Sequence, residues 1–361
     1  MNKNYYAIIM AGGIGSRFWP ISRTSHPKQF IDILGTGKTL IQNTYDRFLS
    51  VCPKENIYVV TNEIYTDLVK AQLPDVADHQ ILTEPVMRNT APCVAYGCYK
   101  IESQNPDAAI VVAPSDHLIL NEAAFIATIE KSLKTASENN CLITLGIKPS
   151  RPDTGYGYIQ YSDDTLNDEF HKVKNFTEKP SLDVAKTFVE SGDFLWNAGI
   201  FVWSGKAIVD EFSKHLPDMH TIFADARTVY NTESEKSHVH TVYADCANIS
   251  IDYGIMEKAE NVYVLPSEFG WSDLGTWASI YDLTNKDEAG NALIPAEKVI
   301  MYNSTNCMVN VPEDKLVILK GLHDFIVVES NNTLLICPRS EEQNVKQVVA
   351  DVKQRFGVAY I

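Results

Sequence analysis

A chain of 361 residues is long for one compact core, so one large domain followed by a smaller one is the expected organisation. Its 45% hydrophobic content is ordinary for a globular protein, and a formal net charge of −15 argues against a nucleic-acid or anionic-membrane surface as its main partner. Its seven cysteines form no C-x-x-C pair or zinc-like Cys/His cluster, and there is no recognisable signal peptide or apolar run of about 18 residues. A reducing cytoplasm is therefore expected, and the N-x-[ST] triplets starting at Asn175, Asn248 and Asn303 are chance.

From residue 5 to about 265, short apolar strands alternate with amphipathic helices. Strands are predicted over 6–10, 57–61, 80–83, 109–113 and 142–146, with helices near 39–50, 63–73, 90–103 and 122–139. Pro92 suits the first turn of its helix, with Thr90 or Ala91 near the cap. Such βα repetition implies a parallel, doubly wound sheet whose ligands gather at the carboxyl ends of the strands. The texture changes at Gly155: 156–161 and 172–177 read as an antiparallel insertion, and helices resume near 183–191 and 206–226. After about Asn285 the helices nearly stop. Short strands over 299–303, 307–311, 315–319, 325–329 and 333–337 then predict a small all-β unit, which divides the chain into domains 1–285 and 286–361.

The first predicted strand runs into Ala11-Gly12-Gly13-Ile14-Gly15-Ser16-Arg17-Phe18-Trp19-Pro20 and on through Ser22-Arg23 to Pro27-Lys28-Gln29-Phe30. Three glycines leave backbone N–H groups accessible to a phosphate chain, and Arg17 and Lys28 add two cations. The loop is not the dinucleotide fingerprint, because Phe18 stands where its last glycine or alanine would be. Gly37-Lys38-Thr39 imitates the end of a Walker loop, but Asp32 occupies the position of its first glycine, so a plain turn before a helix is expected there.

The run GGxGxRxWPxSRxxxPKQF, spelled from Gly12 to Phe30, resembles the signature of mannose-1-phosphate guanylyltransferases. Further motifs of that family follow in order: Glu84-Pro85 with Arg88-Asn89-Thr90-Ala91-Pro92, Pro114-Ser115-Asp116-His117, Phe176-Thr177-Glu178-Lys179-Pro180, Trp196-Asn197-Ala198-Gly199-Ile200-Phe201, Ser250-Ile251-Asp252-Tyr253 and Gly270-Trp271-Ser272-Asp273-Leu274-Gly275. The resemblance implies a Rossmann-like, doubly wound mixed α/β sheet of the nucleotide-diphospho-sugar transferase type. It also implies a short left-handed β-helix closed by a helix over 341–356, although no strict hexapeptide repeat is visible. Longer members append an isomerase cupin, for which this chain ends too soon.

The implied reaction joins GTP and mannose 1-phosphate into GDP-mannose and pyrophosphate. The attacking phosphate oxygen is already anionic, so no general base is needed and the difficulty is repulsion between two polyanions. Mg2+ is the implied cofactor, with Asp116 and Asp273 as its ligands. By resemblance, Arg17 and Lys28 meet the triphosphate, with Ala11, Gly12, Gly13, Gly15 and Ser115 on the nucleotide side. Lys179 meets the sugar phosphate, and Tyr156, Gly157, Glu178, Asn197, Gly199 and Asp252 are sugar-side candidates, Asp252 reading equally as a local turn. Glu84, Asn89 and Thr90 are candidate guanine readers, though a backbone carbonyl could serve as well. Arg23 reads either as a supporting structural residue or as a phosphate contact. His26 and His117 read as structural, and Trp196, Phe201 and Trp203 as core. The C-terminal β unit and the helix before it could supply a homodimer surface. The same chemistry on another sugar phosphate or base, and a silent regulatory paralogue, remain the alternatives.

Overall fold

The computed structural model describes all 361 residues. The apolar run Tyr5–Met10 forms β1, with its four central residues buried. It is followed by α1 (Leu40–Phe48), β2 (Ile57–Asn62), α2 (Thr66–Gln72), β3 (Ile81–Glu84), α3 (Thr90–Gln104), β4 (Ala109–Pro114), the two-residue β5 (Leu118–Ile119), α4 (Glu122–Glu138) and β6 (Leu142–Ile147). Every residue of β2 is buried, as expected for a sheet covered on both faces. Then come β7 (Gly157–Leu166), β8 (Phe170–Glu178), α5 (Leu182–Ser191), β9 (Phe194–Ser204), α6 (Gly205–His215), α7 (Pro217–Asp225), α8 (Glu235–Tyr243), β10 (Val262–Ser267) and the short β11 (Trp271–Ser272). Contacts divide the chain into two compact units. The first comprises Met1–Gly12, Thr44–Ser115 and Ile119–Trp271; the second comprises Gly13–Asn43, Asp116–Leu118 and Ser272–Ile361.

The first unit is built on a nine-stranded sheet of order β3-β2-β1-β4-β9-β6-β10-β8-β7. The βα rhythm alone points to parallel neighbours throughout, and the structure corrects this. Strand β9 runs antiparallel to both β4 and β6, which makes the sheet mixed as the resemblance implied. This central strand was not among the predicted ones, because its residues are buried on both sides and Gly199, at φ 66°, interrupts its pattern. The single helix predicted over 206–226 is two. Pro217 has no N–H to continue a helix, so α6 stops at His215 and α7 begins at the proline. On one face Ile8, Ile110 and Val112 pack with α3, α6 and α7; Phe125, Ile129 and Leu133 of α4 are buried outside that cluster.

In the second unit α9 (Trp277–Leu283) precedes β12 (Ala292–Ile294), β13 (Val299–Tyr302), β14 (Met308–Asn310), β15 (Val317–Lys320), β16 (Phe325–Ser330), β17 (Thr333–Pro338) and α10 (Val345–Phe356). The strands coil. Ala292 pairs in parallel with Met308, and Met308 with Ile326, steps of 16 and 18 residues. Val299 pairs with Val317, and Thr305 bridges His323 on a third side, both steps of 18. This is a β-helix, and its packing explains why no hexapeptide repeat was visible. Val309 points inward with Val299 and Val327, whereas Met308, Ile326 and Val328 pack outward under Phe18, Trp277 and Ile280. Both faces of β14 and β16 are therefore apolar, which erases the usual alternation.

Candidate active site

The turn after the glycine loop places Arg17 on the rim of a cavity of about 270 Å3 in the second unit. Lys28, Asp116, His117, Asp273 and Lys346 also line it, together with Gly15 and Gly275. Gly15 is required there on two counts: its φ is 70°, and a Cβ would lie 2.5 Å from Cβ of Lys28. Lys28 is buried and fully engaged. Its ammonium meets a carboxylate oxygen of Asp116 at 2.9 Å and the carbonyls of Asp273 and Leu274 at 2.8 and 2.9 Å. All three of its donors are thus spent on the two segments that carry the aspartates. Burial alone would raise the pKa of Asp116, but Lys28 and His117 outweigh it and hold the carboxyl below its ordinary value.

Asp273 sits in a tight turn, its Oδ1 accepting from the Gly275 N–H at 2.9 Å. A Cβ on Gly275 would meet Asp273 Oδ2 at 2.5 Å, so only glycine lets the chain pass this carboxylate. Asp116 and Asp273 therefore line one cavity, each carboxylate fixed in place, Asp116 by Lys28 and Asp273 by the Gly275 N–H. Such a donor set fits a hard divalent cation, which takes one or two carboxylates and completes its shell with water or phosphate oxygens.

Arg23 lies outside this cavity. Its guanidinium donates to the carbonyls of Pro20 and Ser330, to Asn332 Oδ1 and to Thr333 Oγ1, all at 3.1–3.2 Å, tying the signature loop to β17. Of its two readings the structural one stands. Arg23→Ala is expected to lower stability by about 2 kcal/mol while an intact fraction keeps its substrate affinities; thermal denaturation and steady-state kinetics check this. His26 is structural: its Nε2 lies 3.1 Å from the Phe30 carbonyl, and its backbone N–H and C=O pair with those of Arg23. The Walker-like segment is a plain turn: Asp32 accepts from the N–H groups of Thr36 and Gly37.

Gly13 lies in the second unit with open space where a Cβ would stand, and the remaining candidates lie in the first unit. Ala11 is committed to the sheet, its N–H to Val60 and its carbonyl to Thr61, both at 2.8 Å. Ser115 is buried, and its backbone bonds Met10 and the Thr44 hydroxyl. Asn89, at φ 66°, caps α3 through its side-chain carbonyl, and the Thr90 hydroxyl accepts from the Ile251 N–H at 2.9 Å. The carboxylate of Glu84 is buried, accepts a hydrogen bond from Tyr243, and lies 3.5 Å from where a Cβ on Gly12 would be. Burial pushes its pKa up to about 7, against the opposing Tyr243 bond. Nothing in the sequence marked Tyr243, because α8 is weakly patterned.

Around β7, β8 and β9 a second polar cluster forms. Asn197 is buried: its Oδ1 accepts from Thr144 Oγ1 at 2.9 Å and the Gly199 N–H at 3.1 Å, while its Nδ2 spends one of its two N–H donors on Asp252 at 2.9 Å. Asp252 opens a five-residue π-helical turn, Asp252–Met256, a distortion common at functional sites. Burial and then the neighbouring Glu178 carboxylate raise its pKa to about 6. Lys179, at φ 48°, pairs with Glu178 and stays mostly exposed, while a Cβ on Gly157 would overlap the Glu178 carboxylate. The Tyr156 ring packs edge-on against Trp196 and Trp271. Trp196, Phe201 and Trp203 are core residues, as expected.

Comparison with known proteins decides the family. Residues 6–290 match the nucleotidyl transferase family model. The chain belongs to that family. Residues 297–352 match a second model, the mannose-phosphate isomerase/GMP-like β-helix domain, in agreement with the coil described above. Among curated relatives of this nucleotidyltransferase, the alginate biosynthesis protein AlgA of Pseudomonas syringae is 36% identical, over 96% of this chain and 72% of its own. The mannose-1-phosphate guanylyltransferase of Klebsiella pneumoniae is 35% identical over 98% and 75%. A solved structure named mannose-1-phosphate geranyltransferase, from Thermus thermophilus, superposes with a TM-score of 0.85 at 30% identity, covering 97% of this chain and 99% of that one. Nucleotidyl transferases of this family use a divalent metal, and no helix of the chain is long and apolar enough to cross a membrane.

Proposed function

We propose that this nucleotidyltransferase transfers GMP from GTP to α-D-mannose 1-phosphate, releasing pyrophosphate, with Mg2+ as the divalent ion. The observation that carries the reading is the cavity that Arg17 lines together with Asp116 and Asp273, in a chain about 35% identical to named guanylyltransferases. Asp116 and Asp273 are the proposed metal ligands. Bound there, the ion would neutralise phosphate charge as pyrophosphate departs. Arg17 supplies a hydrogen-bonding cation for the triphosphate, and Lys28 adds positive field from beneath while holding both aspartates in place. The bare backbone at Gly12, Gly13 and Gly15 admits the phosphates. Lys179 is assigned to the mannose phosphate. Glu178, Asp252 and Asn197, with Tyr156, Gly157 and Gly199 shaping the space, are assigned to the sugar hydroxyls.

The geranyl name of the Thermus relative suggests a different donor, but Phe18 is the single apolar side chain lining this cavity, which suits polyphosphate and not a prenyl chain. The test is direct: purified protein, Mg2+ and mannose, glucose or fucose 1-phosphate with each nucleoside triphosphate, reading sugar nucleotide and pyrophosphate. Turnover of GTP with mannose 1-phosphate above all other pairs is expected, and preference for another pair would sink the reading. We also propose a cytoplasmic location, in keeping with seven free thiols. A homodimer through the exposed Ile300, Tyr302 and Ile318 of the coil completes the proposal, and a monomer in sedimentation would refute that part. The sequence division at residue 285 is retained as the proposed domain boundary.

Glu84 is the proposed guanine reader, because a carboxylate can accept from both N1–H and the N2 amine. Glu84→Gln is expected to weaken GTP binding roughly 10- to 100-fold, the worth of one lost charge-assisted interaction. In the parent, affinity should rise as pH passes upward through about 7 and the group ionises. Stability moves the other way. A carboxyl whose folded pKa is raised contributes stability fully below its unfolded value, 4.5, and loses it as pH rises through about 7. Glu84→Gln should therefore be more stable than the parent at pH 8 and no different at pH 4. Equal GTP affinities for parent and variant across that range would remove Glu84 from the base site.

A further inference from the structure

The turn that carries Asp273 is strained. Leu274 stands at φ 45°, in the left-handed region that a bulky side chain rarely occupies, and it is buried in the cluster of Phe18, Trp277 and Met308. Such a conformation persists only where neighbouring contacts over-determine it. On the upstream side Lys28 holds the carbonyls of Asp273 and Leu274. Downstream, the chain enters α9 through Thr276, which makes no side-chain cap bond, and α9 has no acidic residue in its first turn. The first N–H groups of that helix need an acceptor from elsewhere.

Glu342 supplies it. Its Oε2 accepts from the N–H of Ala278, the second residue of α9, at 2.8 Å, which is the bond an N-cap side chain would make. Burial raises the pKa of this carboxyl, and the Ala278 N–H, the Thr276 side chain, Arg339 and Arg17 each oppose that rise. The segment around Glu342, a 3-10 turn over Arg339–Asn344, is itself anchored on the coil. The Arg339 N–H bonds the Asp324 carbonyl at 2.8 Å and its Nη1 the Asn306 carbonyl at 3.1 Å. Its guanidinium lies 3.6 Å from the centroid of the Tyr281 ring, on α9. One position after Glu342, Gln343 Oε1 accepts from Arg17 Nε at 3.1 Å. The β-helix therefore reaches the start of α9 through a braced carboxylate.

We infer that Glu342 is a positioning residue for the proposed metal ligand Asp273: by capping α9 from the C-terminal segment, it holds the strained Asp273-Leu274-Gly275 turn in the shape that presents the carboxylate to the cavity. Glu342 does not itself line that cavity. Without the cap the first turn of α9 frays, Thr276 is released, and Leu274 can relax out of its left-handed conformation, carrying Asp273 with it. This role rests on the assignment of Asp273 to the divalent ion and is independent of which base or sugar is used. It gives the β-helix a part in catalysis through geometry alone.

The experiment measures Mn2+ binding to the full chain by electron paramagnetic resonance, with Mn2+ alone as the probe, for the parent and for Glu342→Ala, Glu342→Gln, Arg23→Ala and Asp273→Asn. Asp273→Asn identifies the site, whose occupancy it should remove. Glu342→Ala is expected to weaken Mn2+ about tenfold, the low end of the cost of removing a group that orients a metal ligand. Glu342→Gln loses the same charge but keeps an acceptor for the Ala278 N–H, so it should recover most of that affinity. Arg23→Ala, which also loses stability, should bind Mn2+ as the parent does. In turnover, the Mg2+ concentration giving half-maximal rate should rise about tenfold in Glu342→Ala while KM for mannose 1-phosphate stays put. Parent-like Mn2+ affinity in Glu342→Ala, an equal loss in Glu342→Gln, or the same loss in Arg23→Ala would each overturn the inference and leave the metal assignment standing. A parent that binds no Mn2+, or an Asp273→Asn variant that binds it equally well, would instead refute the metal assignment and the role of Glu342 with it.

Discussion

Asp116→Ala is expected to lower kcat for GDP-mannose formation roughly a thousandfold, equivalent to the several kcal/mol that a metal ligand contributes to charge neutralisation in the transition state. The loss should not be recovered by raising GTP or mannose 1-phosphate. It should be partly recovered by raising Mg2+, because Asp273 still offers a carboxylate to the same cavity. Alanine also strips the buried Lys28 of its counter-charge, so some stability is lost with the activity. Asp116→Asn separates the two effects. Its amide oxygen still accepts from Lys28 Nζ but is a poorer ligand for a hard cation, so stability should largely return while turnover does not. The pH dependence has a definite sign. The native pKa of Asp116 lies below its ordinary 3.8, so its contribution to stability is complete above that value and is lost as pH falls through the native pKa. An acid limb of the rate profile above pH 5 would have to come from other groups, Glu84 and Asp252 being the candidates. Near-normal turnover by both variants would refute the metal assignment.

The second large effect is expected at Lys28. Lys28→Met keeps the length of the side chain but removes three hydrogen bonds at once. Two carbonyls and a carboxylate lose their donor, and breaking a buried ion pair from one side typically costs 3–5 kcal/mol. Because Asp116 remains 28% exposed at the cavity, water can replace part of that, so a loss of about 3 kcal/mol is expected from denaturant unfolding. Activity should fall by at least about a hundredfold, since Asp116 and Asp273 lose the ammonium that positions them. Lys28→Arg should not rescue. The guanidinium is planar and larger, Lys28 is only 4% exposed, and the Gly15 backbone packs directly against its Cβ. A stable, active Lys28→Met variant would show that the two aspartate segments hold their positions without it.

The candidate site was legible in the sequence because its proposed residues stand in short runs. The glycine loop, the Glu-Lys-Pro turn and the Trp-Ser-Asp-Leu-Gly turn each place their functional groups within a few residues, and local backbone geometry does the rest. Gly15 and Gly275 show this well: each is glycine because a neighbouring side chain occupies the space a Cβ would need. Less legible were elements whose residues are buried on both sides, since burial on two faces hides the period on which such reading depends. Strand β9 at the centre of the sheet and the double-faced rungs β14 and β16 are the examples.

The sequence by itself determined the family, the α/β class with a trailing β unit, and the residue types that suit a polyphosphate and a hard cation. Tertiary structure alone decided how those residues are spent. It turned Lys28 from a free cation into the clamp of two aspartates 157 positions apart along the chain, Asp116 and Asp273. It fastened Arg23 to β17, set Tyr243 on Glu84, and brought Lys346 from the last helix to a loop that begins near residue 11. The reason is physical. Backbone preference and side-chain chemistry act over a few residues and can be read in order. Which donor meets which acceptor is settled only when distant segments are packed and each buried charge must find its partner.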